Sequence, residues 1–146
     1  MSTCIVPYQE AYKKDILAIW EKSALATHHF LTTDDFKEIK KMLQVFDFTQ
    51  LQVYCLTQNN TIVGFAALHE IKIEMLFLHP NYIGKGMGYQ LMKYLIEEHD
   101  VQYVDVNEQN NAAISFYVKC GFEMYDRSAK DDLGKNYPIL KMKLKK

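Results

Sequence analysis

No charge of either sign dominates this sequence. Its 146 residues carry 17 Lys and Arg against 18 Asp and Glu, a formal net charge of −1. Without a basic excess there is no field to hold nucleic acid non-specifically. Cysteine is scarce as well. Cys4, Cys55 and Cys120 are odd in number and far apart, with no CxxC and no Cys/His cluster at metal spacing. That excludes a disulfide framework and a zinc site, and leaves reduced, buried thiols of a cytosolic protein as the expectation. No apolar run approaches the roughly 20 residues of a membrane helix. Met1 to Pro7 has no basic segment leading into an apolar stretch, so no signal peptide and a cytoplasmic location are expected. Internal repeats, low-complexity stretches and linkers are absent. What remains is ordinary globular composition, 49% hydrophobic and 24% charged. The length suits one domain, 1–146, able to bury its own core.

The apolar period changes along the chain. Thr3 to Tyr8 reads as an edge strand closed by Pro7. Ile16, Ile19, Trp20 and Ser23 fall at helical spacing over Lys13 to Ala26. Thr33 caps a second helix, with Asp34 and Asp35 in its first turn. Leu51 to Thr57 and Thr61 to His69 form a hairpin across Asn59-Asn60, residues that tolerate positive φ. Ile71 to Leu78 is a further strand, stopped by Pro80. A helix follows, from Met87 to about His99, and then a short strand from Tyr103 to Val106. Ala113, Phe116, Tyr117 and Cys120 mark another helix, ended by Gly121. Phe122 to Arg127 and Pro138 to Leu144 close the chain, the latter alternating Leu140, Met142 and Leu144 with Lys141, Lys143 and Lys145. Those lysines read as the wet face of an edge strand. The elements add up to one mixed α/β domain with a mostly antiparallel sheet and parallel pairing near the later helices.

Half of the six glycines lie within five residues, Gly84-Lys85-Gly86-Met87-Gly88. A strand runs into them and a helix runs out. Glycines there let several backbone N–H groups approach one ligand, and the helix start adds unpaired donors and a positive dipole end. The arrangement suits a diphosphate. The Walker pattern fails, because no Lys-Ser or Lys-Thr follows. The dinucleotide pattern fails too, because the spacing is GxGxG and the position is mid-chain. A strand–helix turn without ligand is the bland alternative.

The stretch from Leu76 to Gly88 resembles the acetyl-CoA loop of the GNAT N-acetyltransferase superfamily, Gln/Arg-x-x-Gly-x-Gly/Ala. Gly86 and Gly88 match its glycines, and Ile83 stands where Gln or Arg is usual. Asn107 to Phe122 resembles the same family's Asn-x-x-Ala-x-x-Phe-Tyr-x-x-x-Gly-Phe element. Thr27-His28-His29-Phe30-Leu31 and Asp131 to Pro138 are similar to bacterial YjaB-like members, so the resemblance touches most of the chain.

What this implies is a GNAT fold of about seven strands and about four helices, its sheet splayed at the acetyl-CoA site. The implied activity is direct acetyl transfer from acetyl-CoA to a primary amine, on a protein lysine, an N-terminus or a small molecule, without metal. Monomer and homodimer both stay open, and so does a CoA-binding module without catalysis. The implied cofactor-binding set is Leu76, Phe77, Leu78, Ile83, Gly84, Lys85, Gly86, Met87, Gly88, Asn110 and Tyr117. Asn110 equally reads as a helix cap. A valine at Gly86 or Gly88 is expected to abolish binding and spare the fold.

Acetyl transfer needs a neutral amine and a proton for the departing thiolate. Neutralising a lysine of pKa about 10.4 at pH 7 costs about 4.6 kcal/mol, against roughly 1 kcal/mol for an α-amine. The resemblance places Tyr117 near the thioester sulfur as general acid; ordinary core packing is the alternative. For the base the candidates are Glu74, which strand alternation puts on the face of Leu76 and Leu78, and His69. His28 and Phe30, between the first two helices, lie where the family's acceptor binds. An aromatic plug in a helix–helix turn explains them equally well.

Overall fold

The structure, a computed structural model, describes residues 3–27 and 29–145. Seven strands form one sheet: β1 (Thr3–Pro7), β2 (Gln52–Gln58), β3 (Thr61–His69), β4 (Lys72–Leu78), β5 (Tyr103–Asn107), β6 (Phe122–Ser128) and β7 (Ile139–Leu144). Their spatial order is β1-β2-β3-β4-β5-β7-β6. Every pair is antiparallel except β4–β5. The helices are α1 (Lys13–Thr27), α2 (Thr33–Val45), α3 (Met87–His99) and α4 (Asn111–Lys119).

β3 has almost no polar position and is buried from Val63 to Leu68. A strand of that kind needs cover on both faces. α1 and α2 supply one cover, packing Ile16, Ile19, Trp20 and Leu43 against Val53, Cys55, Phe65 and Ala67. α3 and α4 supply the other, packing Leu91, Met92, Leu95 and Tyr117 against Leu56, Val63, Leu68, Val104 and Phe122. The β2–β3 turn carries Asn59 at φ 51 and Asn60 at φ 66, as the dipeptide predicts.

Three expectations need correction. The cap of α2 is Thr32, whose Oγ1 accepts from the Asp35 N–H at 3.1 Å, so Thr33 is the first helical residue. Adjacent threonines leave that choice open until the backbone is seen. The lysine-bearing strand β7 is not an edge: it lies between β5 and β6, and β1 and β6 are the edges. Its alternation stands, with Met142 only 2% exposed, but the lysines mark an open sheet face rather than an open sheet rim. Among the thiols only Cys55 is fully buried, while Cys4 is exposed and Cys120 half-buried. Among the described residues no helix is long and apolar enough to cross a membrane, and no cluster of His, Cys, Asp and Glu could hold a metal.

Candidate active site

β4 and β5 pair through only two rungs, Lys72 with Tyr103 and Ile73 with Val104. The cause lies one residue on. The β3–β4 register jumps from Leu68–Ile73 to Ala67–Met75, which leaves Glu74 as a bulge without a partner on β3. A bulge bends its strand and adds twist, and here β4 leaves β5 at that point. It also breaks alternation. Ile73, Leu76 and Leu78 side with α3 and α4, whereas Met75 and Phe77 side with α1 and α2. Glu74 sits at that bulge and borders the same cleft as Leu76 and Leu78.

The fork opens a cleft of about 520 Å³ that reaches both faces of the sheet. Its walls include Leu76, Phe77 and Leu78 of β4 and Val104 to Asn107 of β5. Half of a strand's backbone groups point to each neighbour, so those β4 groups that faced β5 below the fork face the cleft above it. An amide-bearing chain can bond there as an added strand. Lys72 and Asp105 close the base of the fork, Nζ to Oδ2 at 2.9 Å. That hydrogen bond raises the Lys72 pKa above its ordinary value.

On the α3 side the cleft ends at Ile83, Gly84, Gly86 and Gly88. Gly86 caps α3 at φ +80, and no side chain caps the helix start. A Cβ at Gly86 would meet nothing within 4 Å, so the backbone is open to a ligand. Gly88 has a different task. A Cβ there would stand 3.1 Å from the Phe116 ring and 3.4 Å from Leu78 Cδ1. Its bareness lets α3 close on α4, and it is buried. Lys85 is exposed with its ammonium over the Tyr82 ring, and Met87 is buried in the core, so only their backbones face the loop. Open amides at a helix start, beside the stretch of β4 that β5 does not pair, fit a diphosphate carrying an amide-rich arm, as in acetyl-CoA.

Across the cleft, α4 begins at Asn110, whose Oδ1 accepts from the Ala113 N–H at 3.2 Å. That cap orients the turn that brings Phe116 and Tyr117 to the wall. Tyr117 is 6% exposed and packs its ring against Phe116 and Phe122. Burial pushes its phenol well above the ordinary value, with Cys120 adding to the shift. Glu74 is exposed and lines the cleft with Ser23 and Thr27 of α1 and with Asp105. Asp105 escaped the sequence reading; its signal is a single acid between Val104 and Val106.

Other anticipated residues fall elsewhere. His69 is exposed at the β3–β4 turn and does not line the cleft. His28 lies outside the described residues. Phe30 borders a second cavity, of about 460 Å³, together with Tyr137.

Comparison with known proteins identifies the family. The family model described as Acetyltransferase (GNAT) domain matches residues 20–146. The chain is 35% identical over 127 residues to "Peptidyl-lysine N-acetyltransferase YjaB" of Salmonella typhimurium strain LT2, covering 87% of this chain and 88% of the relative. Against the solution structure of apo-form YjaB from Escherichia coli the TM-score is 0.91 at 31% identity, covering 98% of this chain and 97% of the other. The crystal structure of PaiA N-acetyltransferase from Thermoplasma acidophilum in complex with coenzyme A shares the fold, with a TM-score of 0.76 at 20% identity over 98% of this chain and 99% of that one. Full-length likeness in structure, joined to the sequence match from Trp20 onward, makes this chain an acetyltransferase that belongs to the GNAT family.

Proposed function

We propose that the chain transfers acetyl from acetyl-CoA directly to the side-chain amine of a protein lysine, with Tyr117 as general acid and Glu74 as general base. The observation that carries the reading is the fork at Glu74, which joins a phosphate-type loop on one face to an acid-lined opening on the other. The N–H groups of residues 84–88 hold the diphosphate, and the stretch of β4 beyond its pairing with β5 holds the amide arm. Glu74 takes the proton of the incoming ammonium. The neutral amine adds to the thioester carbonyl; as the C–S bond breaks, Tyr117 gives its proton to the departing sulfur, and the proton shed by the new amide nitrogen returns to the phenolate. Its raised pKa keeps the phenol protonated at every working pH, which suits an acid and not a base. Burial disfavours a thiolate as well as a phenolate, which limits how far the shift widens the ordinary gap between about 10 and about 8.5. The protein-lysine acceptor follows the names of the YjaB relatives.

The test is kinetic. Tyr117→Phe keeps the ring and loses the hydroxyl, so kcat should fall by roughly 10²–10³ with acetyl-CoA affinity little changed. Glu74→Gln should hurt lysine acceptors more than α-amine acceptors, whose neutralisation differs by about 3 kcal/mol, and less at high pH. Near-normal turnover of Tyr117→Phe returns that residue to the core. Equal losses for both amines at every pH remove Glu74 as base.

A further inference from the structure

Two segments take no part in the chemistry above: the turn leading into α2 and the β6–β7 loop, residues 129–138. They meet. Tyr137 donates its O–H to Asp35 Oδ2 and accepts the Thr32 N–H at 3.3 Å. Lys135 Nζ lies 2.9 Å from Asp35 Oδ1 and 2.8 Å from Glu38 Oε2. Both oxygens of Asp35 are thus engaged by one loop, and the carboxylate is only 20% exposed. The Phe30 ring sits edge-on to Tyr137, centroids 6.1 Å apart.

The loop reaches this junction already shaped. Asp131 Oδ1 accepts from Leu133 N–H at 3.0 Å and Lys135 N–H at 2.9 Å, and Gly134 turns at φ +76. Its far end is held as well, because Glu108 N–H donates to Pro138 O at 2.9 Å. The second cavity lies inside this frame, between Phe30, Asp35, Lys135, Tyr137 and Gln109. Along the chain its lining neighbours that of the cleft at two places. Thr27 of the cleft precedes the turn that carries Phe30, and Asn107 and Asn110 of the cleft flank Gln109. Among the described residues none of the glycine loop borders the second cavity, which leaves this frame to the acceptor rather than to the diphosphate.

We infer that Asp35 is a positioning residue for the acceptor: through Tyr137 and Lys135 it clamps the β6–β7 loop to the start of α2 and so fixes the wall along which the acceptor enters. It touches neither reacting atom. The inference rests on the proposed function in assuming that the acceptor comes from the α1–α2 face. Loss of the clamp loosens the entrance and leaves the glycine loop and Tyr117 in place.

The experiment compares Asp35→Ala, Asp35→Asn, Tyr137→Phe and the pair Asp35→Ala/Tyr137→Phe. KM and kcat are measured for a lysine peptide and for a small primary amine, and acetyl-CoA affinity by calorimetry. Asp35→Ala should raise the peptide KM roughly tenfold, the scale of a charged hydrogen bond. Acetyl-CoA affinity and kcat at saturating peptide should stay within about twofold. Adding Tyr137→Phe to Asp35→Ala should bring little further loss, because the two act as one unit. Asp35→Asn keeps an acceptor for the phenol and should fall between wild type and Asp35→Ala. If Asp35→Ala does not fold, Tyr137→Phe carries the test with one hydroxyl removed. An unchanged peptide KM overturns the inference, and so does a parallel loss of acetyl-CoA affinity. Wild-type protein that acetylates the small amine but no peptide overturns the peptide reading instead, and the KM split is then read on the amine.

Discussion

At the scale of single residues, Gly86 and Gly88 look alike in the sequence and differ in the fold. Both belong to one motif, and a valine at either is expected from the sequence to empty the phosphate site. The structure divides the outcomes. At Gly86 the strain comes from φ +80, while the space around it is free. A side chain in that backbone region costs roughly 1–2 kcal/mol. Gly86→Val should therefore stay folded and lose at least about tenfold in CoA affinity, because the side chain enters the ligand's space. Gly88→Val drives its branch into Phe116 and Leu78, and overpacking of this kind costs about 1–3 kcal/mol. Its main effect should be a lower Tm. Thermal melts and calorimetry on both variants check the division, and an equal loss of CoA affinity in the two folded variants would contradict it. The place of the glycine loop and Tyr117 at the cleft was legible because each signal is local: its residues follow one another along the chain. Asp105, Ser23 and Thr27 were not, because the fork that gathers them joins strands and a helix distant in sequence.

At the scale of elements, the sequence announced the helices and strands to within a residue or two, since period and turn chemistry are short-range. It did not announce the bulge at Glu74 or the insertion of β7 between β5 and β6, since both are set by which strands pair. One element can be tested for a double duty. α4 spans only Asn111–Lys119, so its first turn depends on the Asn110 cap. Asn110→Ala should cost about 1 kcal/mol in stability, and Asn110→Asp should restore it, because aspartate caps as well as asparagine. If Asn110 also holds the amide arm of acetyl-CoA through its N–H groups, Asn110→Asp should still bind more weakly despite its restored stability. Urea unfolding reads the first role and calorimetry the second. Full affinity in Asn110→Asp leaves the residue a cap and nothing more.

At the scale of the whole molecule, the shifted titrations among the described residues lie toward both ends of the pH range. On the acid side Asp35 is held down to about 2 from 3.8, first by the Tyr137 hydroxyl and then by Lys135. Asp47 is lowered by Thr49 and Glu108 by Arg127, whose guanidinium grips it at 2.7 and 2.9 Å. A depressed carboxylate stabilises above its unfolded pKa, and the gain fades as pH falls through the folded one. Stability should therefore decline from about pH 4.5 toward pH 2. On the alkaline side burial lifts Cys55 from 9.0 to about 12 and Cys120 to about 11. A raised thiol pKa has the opposite sign: the unfolded chain ionises first, so stability is full below about pH 9 and falls as pH rises through the folded values. Urea midpoints across the pH range should trace a plateau between two slopes. Asp35→Asn should flatten the acid slope, and Cys55→Ala the alkaline one, each leaving the other intact. Because Tyr117 remains protonated across the plateau, loss of activity above about pH 9 should follow the unfolding midpoint in wild type and move with it in Cys55→Ala. An alkaline activity limb that stays fixed while the midpoint moves would place a titrating group of the site itself in that range.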